Sequence, residues 1–206
     1  MNTLKQKTMN KIVVTIILIA SCNVLFSQNP TGSELLEFNK SRNKKSKIGL
    51  QILGGWALAN MGASAFLYTK ADGVDKSFHE MNVMWNGVNA IIVGTGLLPK
   101  EKNDINLSKT LKWQSNTEAI YIANAAIDLV YCTSGLYLTE KAKTSTKYQD
   151  KFKGWGNSLA YNGGFLFILD TGMFIVHKRN GKKLSGMMDK INITTGLTSI
   201  KISVHI

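Results

Sequence analysis

Beyond residue 30 the chain alternates between long uncharged blocks and lysine-rich connectors. Ile48 to Thr69 runs 22 residues without a charge and Met81 to Pro99 runs 19, while Ala119 to Thr139 (21 residues) and Gly154 to Val176 (23 residues) each contain one aspartate. As helices rising about 1.5 Å per residue, the blocks match the ~30 Å hydrocarbon core of a bilayer. A water-soluble bundle would need a charged stripe on every helix with a period of about 3.6 residues, and these blocks have almost no charge to form one. The pattern predicts an all-α integral membrane protein with four transmembrane helices. Lys70, Lys100, Lys141, Lys153, Lys178 and Arg179 sit at block ends, where long cationic side chains reach the headgroups. Trp113 and Trp155 lie near block starts, as interfacial aromatics do, and Trp56 lies inside a block.

The two termini follow other patterns. Lys5, Lys7 and Lys11 precede an apolar run from Ile12 to Phe26 and a small or polar exit at Ser27 and Gln28, the order of a secretory signal. Met9 is an alternative start. The run is short for an uncleaved anchor, which needs about 20 residues. Ile19-Ala20-Ser21-Cys22 also resembles a lipobox, but the apolar run continues past Cys22, which suits cleavage after Ser27 better. At the other end Ile200, Ile202, Val204 and Ile206 alternate with polar residues, and residues 191–199 offer a partner and a glycine turn, so the tail reads as β-prone. The expected organisation is a signal at 1–27, a basic linker at 28–47, a transmembrane hairpin at 48–99, a connector at 100–118, a second hairpin at 119–177 and a basic, β-prone tail at 178–206.

The formal net charge of +12 fits this picture without nucleic acid, because the basic residues gather in connectors and tails without aromatic interleaving. Anionic headgroups are the simpler partner, and Lys40 to Lys47 is either a headgroup-binding approach to the first helix or a solvated linker. Cationic residues number 15 on the side of the linker, second connector and tail, against seven on the other. The positive-inside rule puts the 15 in the cytoplasm and an export signal puts them outside, so the two inferences conflict. Cleavage after Ser27 leaves Cys132 as the one cysteine, with no intramolecular disulfide. The three histidines are dispersed, and no nucleophile elbow, phosphate loop or zinc spacing is present, so no catalytic residue, metal or cofactor is expected. His79 reads as an interface or capping residue.

The blocks also repeat. Trp85 to Leu98 and Tyr161 to Phe174 agree at Asn, Gly, Ile, Thr and Gly in register, with Asp170 where the first copy has Gly94. One block upstream, Ala59-Asn60 aligns with Ala123-Asn124, and Ser64 falls opposite Asp128. Duplication of a helical hairpin accounts for both, and it leaves the two copies with the same orientation. On the first helix Gly55, Ala59 and Ala63 form a small-residue ridge suited to close packing, beside a row of Trp56, Asn60 and Ser64.

The candidate intramembrane polar network comprises Asp128, Asp170, Asn60, Asn86, Asn89, Asn124 and Asn162. Asn82, Asn86 and Asn89 share one helix face, and measured from the intervening connector Asn60 and Asn89 face each other near mid-bilayer. The same ruler puts Asn124 level with Asp170, and Asp128 between Asn162 and Asp170. A charged aspartate at a membrane helix centre costs about 2.5–3.5 kcal/mol, against ~0.6 kcal/mol for an average interhelical hydrogen bond. The two carboxyls therefore either serve a cation or proton, or are held neutral as internal glue.

The run of GGWALAN, HEMNVMWNGVN, IANAAIDLVY with SGLYL, and YNGGFLFILD, from about Lys47 to Arg179, resembles an uncharacterised family of bacterial multi-pass membrane proteins. The resemblance implies a four-helix membrane domain and no activity. Two functions fit: a structural or interaction protein of the bacterial envelope, in the inner membrane, or a small transporter, channel component or proton-linked sensor using Asp128 and Asp170. Four helices are few for a lone transport path, so a homo-oligomer is expected under either.

Overall fold

The computed structural model describes residues 30–98 and 103–198, with side chains described to residue 188. Four helices make up this portion: α1 (Gly32–Tyr68), α2 (Gly73–Gly96), α3 (Leu107–Ala142) and α4 (Gln149–Thr198). Helices α1, α3 and α4 are each long and apolar enough to cross a membrane. Helix α2 falls short of that standard, because its first turns hold Asp75, Lys76, His79 and Glu80 and its later turns hold three asparagines.

The helices begin earlier than the uncharged blocks do, and the cause is local. Thr31 Oγ1 accepts from the Glu34 backbone N–H at 3.3 Å while Glu34 Oε2 accepts from the Thr31 N–H at 2.8 Å, a reciprocal cap that starts α1 at Gly32. Asn106 Oδ1 accepts from the Lys109 N–H at 3.0 Å and starts α3. The expected basic linker at 28–47 is therefore helical from Gly32 onward, and the expected connector at 100–118 is helical from Leu107. The tail is corrected too: residues 178–198 continue α4 rather than forming strand, because helix lets Leu184 pack against Leu35 and Phe38. The alternating segment at 200–206 and the signal at 1–27 lie outside the described residues.

Side-chain contacts set the directions. Gly54 meets Val93, and Ser64 meets Asn82, so α1 and α2 are antiparallel. Gly135 meets Gly156, and Gln114 meets the His177 carbonyl, so α3 and α4 are antiparallel as well. Helix α4 also packs along α1 and α2, which makes it the shared element, whereas α2 and α3 have no close backbone contact. The α3–α4 contact is the tightest. A Cβ on Gly156 would lie 2.5 Å from the Gly135 carbonyl, and one on Gly135 would lie 2.6 Å from the Ala160 nitrogen, so both must be glycine. At the α1–α2 turn Gly73 has φ +55°, which favours glycine.

Polarity is inverted along the molecule's length. Leu35, Phe38 and Leu184, flanked by Leu107, Leu111 and Met187, form an apolar core where α1, α3 and α4 extend beyond the uncharged blocks. Within the blocks the interior is polar: Ser64, Asn82, Asn86, Asn89, Asp128, Ser158 and Asn162 are all buried. The exterior there is apolar, with Leu58 at 63 %, Ile91 at 68 %, Leu136 at 63 % and Ile168 at 71 % exposed. A chain folding in water does the reverse.

A buried asparagine ladder beside an acidic cavity

Two polar assemblies occupy the interior of the apolar segment. The first is an asparagine ladder joining α1, α2 and α4. Asn162 Nδ2 donates to Asn82 Oδ1 at 2.7 Å, and Asn86 Nδ2 donates to Asn162 Oδ1 at 3.0 Å. Trp56 Nε1 donates to the same Asn162 oxygen at 3.3 Å, with its ring stacked on Phe165 at 3.7 Å. Asn82 Nδ2 reaches Ser64 Oγ at 2.7 Å, and that hydroxyl also meets His79 Nδ1 at 3.1 Å. The ladder exists because Asn82 and Asn86 are one helical turn apart and Asn162 projects between them from α4. At the ladder's end Trp155 Nε1 donates to Glu80 Oε2 at 3.0 Å.

The second assembly lines a cavity of about 530 Å³ bounded by all four helices and opening between α2 and α3. Asp128 of α3 and Asp170 of α4 lie side by side in its wall, their carboxyls close enough to interact directly. Asp128 is 4 % exposed, and its Oδ2 is buried with no donor facing it. From the α2 wall come Asn89, also 4 % exposed, and Trp85, whose Nδ2 and Nε1 respectively are buried without an acceptor. Trp85 meets Tyr131 edge-to-face at 4.5 Å, closing one side with aromatic rings. Leucine, isoleucine and valine fill most of the remaining wall.

A third polar level lies towards the apolar core. His177 is fully buried, its Nε2 3.3 Å from Ser46 Oγ, its ring stacked on Tyr121 at 5.1 Å, and its carbonyl accepting from Gln114 at 2.7 Å. One step further, Asn39 donates to Thr110 Oγ1 at 2.8 Å and accepts from Arg42, whose guanidinium lies over Trp113 at 5.3 Å. The stretch from Lys40 to Lys47 is thus neither a bare linker nor only a headgroup contact, since it buries Arg42.

Of the sequence-predicted residues, Asn86 and Asn162 join the ladder, while Asn89, Asn124, Asp128 and Asp170 line the cavity. Asn60 faces Asn82 at 3.4 Å rather than Asn89, one to two turns from the expected register. The ridge of Gly55, Ala59 and Ala63 points outward, and Gly54, Ala57 and Ser64 form the buried face instead. Sequence reasoning missed His177, Gln114, Trp85 and Tyr131 as interior residues. His177 falls one residue past an uncharged block, which hid its burial, while Trp85 and Tyr131 looked like ordinary membrane aromatics.

No curated protein and no solved structure matches the chain. A family model matches residues 52–171, more than half of the sequence, and this span contains both the ladder and the two cavity aspartates. The chain therefore belongs to that family of unknown function, DUF6992.

Proposed function

We propose that this protein is a non-catalytic integral membrane protein of the bacterial inner membrane, with all four helices crossing the bilayer and a structural or interaction role in the envelope. The inverted polarity carries the reading: hydrogen-bonding groups are buried and large aliphatic side chains face outward along the uncharged blocks. Lipid rewards that arrangement, because in hydrocarbon a polar group needs a partner inside the protein. Helix α2 supports a fourth crossing, since it lies lengthwise against α1 and α4 and exposes Met84, Val88 and Ile91 outward. The contact of Asn86 with Asn162, equivalent positions of the two repeats, supports a duplicated hairpin whose copies meet near a shared axis. Lysines at both ends of the apolar segment suit anionic headgroups.

The test is extraction. Membranes from cells expressing the full chain are washed with alkaline carbonate; the protein is expected to stay in the pellet and to dissolve only in detergent. Release into the wash would overturn the reading.

The adjacency of Asp128 and Asp170 favours a second reading, a small transporter, channel component or proton-linked sensor. Ion flux in reconstituted vesicles supports it, and flux unaltered after removal of both carboxylates sinks its mechanism.

A further inference from the structure

We infer that the cavity between α2 and α3 is a binding site for a primary organic ammonium ion that carries a hydrogen-bond acceptor near its nitrogen. Three independent features converge on that class. The first is the charge pattern. Asp128 and Asp170 sit together in the wall, and among the described residues the lining holds no lysine, arginine or histidine to neutralise them. Two neighbouring carboxyls in an apolar surrounding do not both ionise unless a cation joins them. The second is directional: the buried Asp128 Oδ2 faces no donor, and it needs one that a primary ammonium supplies and a quaternary ammonium does not. On the facing wall Asn89 Nδ2 and Trp85 Nε1 are buried donors without an acceptor, and they call for an oxygen on the ligand.

The third feature is the remaining surface. Trp85, Tyr121 and Tyr131 offer ring faces, and Leu50, Ile92 and Leu166 are typical of the rest. Such a wall matches a compact organic body, and aromatic faces add attraction for a cation. A divalent metal fits poorly, because it demands several oxygen ligands in place of aliphatic walls. This inference goes beyond the structural role proposed above and does not require transport.

A free amine and the headgroup of phosphatidylethanolamine share the required chemistry, a primary ammonium with oxygen close by. The full chain in detergent micelles is titrated by calorimetry with 2-phenoxyethylammonium, with its N,N,N-trimethyl analogue, and with 3-phenylpropylammonium, which replaces the ether oxygen by a methylene. Saturable binding of the first is expected, about ten- to a hundredfold weaker for the trimethyl analogue, which loses a charge-assisted hydrogen bond, and about two- to tenfold weaker for the methylene analogue. These comparisons use the unaltered protein and do not depend on any variant folding. Asp128→Asn should weaken binding about ten- to a hundredfold, and Asn89→Leu should abolish the preference for ether over methylene. A short-chain phosphatidylethanolamine binding more tightly than the free amine assigns the lipid headgroup as the source, and weaker binding assigns a soluble amine. The inference is overturned by no saturable heat with any amine, by equal binding of the primary and trimethyl compounds, or by sodium or potassium binding where the amines do not.

Discussion

Substituting Gly156 by alanine adds one methyl group where α3 and α4 leave no room for it. The new Cβ would lie 2.5 Å from the Gly135 carbonyl oxygen, 2.5 Å from Thr139 Oγ1 and 2.8 Å from the Thr139 nitrogen. Two of these neighbours are backbone atoms of a regular helix, so a side-chain rotation cannot relieve the clash, and the helices must separate by about 1 Å to reach van der Waals distance. A gap of that size forfeits roughly a quarter to a half of the dispersion energy at the contacts it opens. Overpacking at a rigid site costs about 1–3 kcal/mol, and the backbone partners place Gly156→Ala at the upper end, about 2–3 kcal/mol. Gly172 on the same helix is the control, because a Cβ there meets nothing within 4 Å. Gly172→Ala should be neutral or stabilising by up to ~1 kcal/mol through helix propensity. The assay is thermal unfolding of both variants in one detergent. At roughly 2–4 °C per kcal/mol the expected gap between the two midpoints is at least about 5 °C. Equal midpoints would refute the claim that α3 and α4 meet backbone to backbone at Gly135 and Gly156.

Further predictions follow from the polar levels. Asn162→Leu removes the hub of the ladder and leaves Asn82, Asn86 and Trp56 unpaired, so it should cost about 1–3 kcal/mol, measured by the same unfolding assay; no loss would show the ladder to be dispensable. Arg42→Met keeps the bulk but breaks the bond to Asn39 and the stacking on Trp113, and should lower the midpoint while leaving binding in the acidic cavity unchanged. In the loop before α3, the hydrogen bond and ion pair with Lys109 at 2.8 Å hold the Asp104 carboxyl below its usual range. A carboxyl held low in the folded state contributes stability above its ordinary range, and that contribution is lost as pH falls through the lowered value. The stability difference between wild type and Asp104→Asn should therefore be present at neutral pH, shrink in strong acid and fade with added salt; a difference independent of pH would contradict this. A topology reporter fused at Lys109 decides the conflict between the charge bias and the export signal: a cytoplasmic reading removes the cleaved signal at 1–27.

How much of this was legible in the sequence depended on which force set each feature. The absence of charge over about 20 residues located the central part of each helix, because hydrocarbon excludes charged groups. The helix ends were not legible, since Thr31 and Asn106 are ordinary polar residues until their side chains are seen to cap, and residues 32–47 and 178–188 are polar enough to read as linker and tail. Their helicity comes from tertiary packing of Leu35, Phe38 and Leu184. The shared face of Asn82, Asn86 and Asn89 followed from helical periodicity and is buried as a unit. The pairing of Asn60 was displaced because depth was counted from the uncharged blocks, whereas the true turn falls at Thr69 to Asp72. That Asp128 and Asp170 sit near one depth was readable from the repeat. The cavity was not, because it arises where α2 and α3 fail to pack, and spacing along a chain does not report a missing contact.

The central claim is that the polar face of this bundle points inward and its apolar face meets lipid. Single substitutions Ile91→Cys and Ile168→Cys, in a background with the native cysteines replaced, would be exposed to a water-soluble maleimide in permeabilised membranes, beside Lys109→Cys in the cap of α3. The account predicts fast labelling at position 109 and none at positions 91 and 168 until the membrane is dissolved and the chain denatured, although both isoleucines are more than two-thirds exposed in the fold. Labelling of 91 and 168 in intact membranes at the rate seen for 109 would place those faces in water and contradict the membrane-embedded reading.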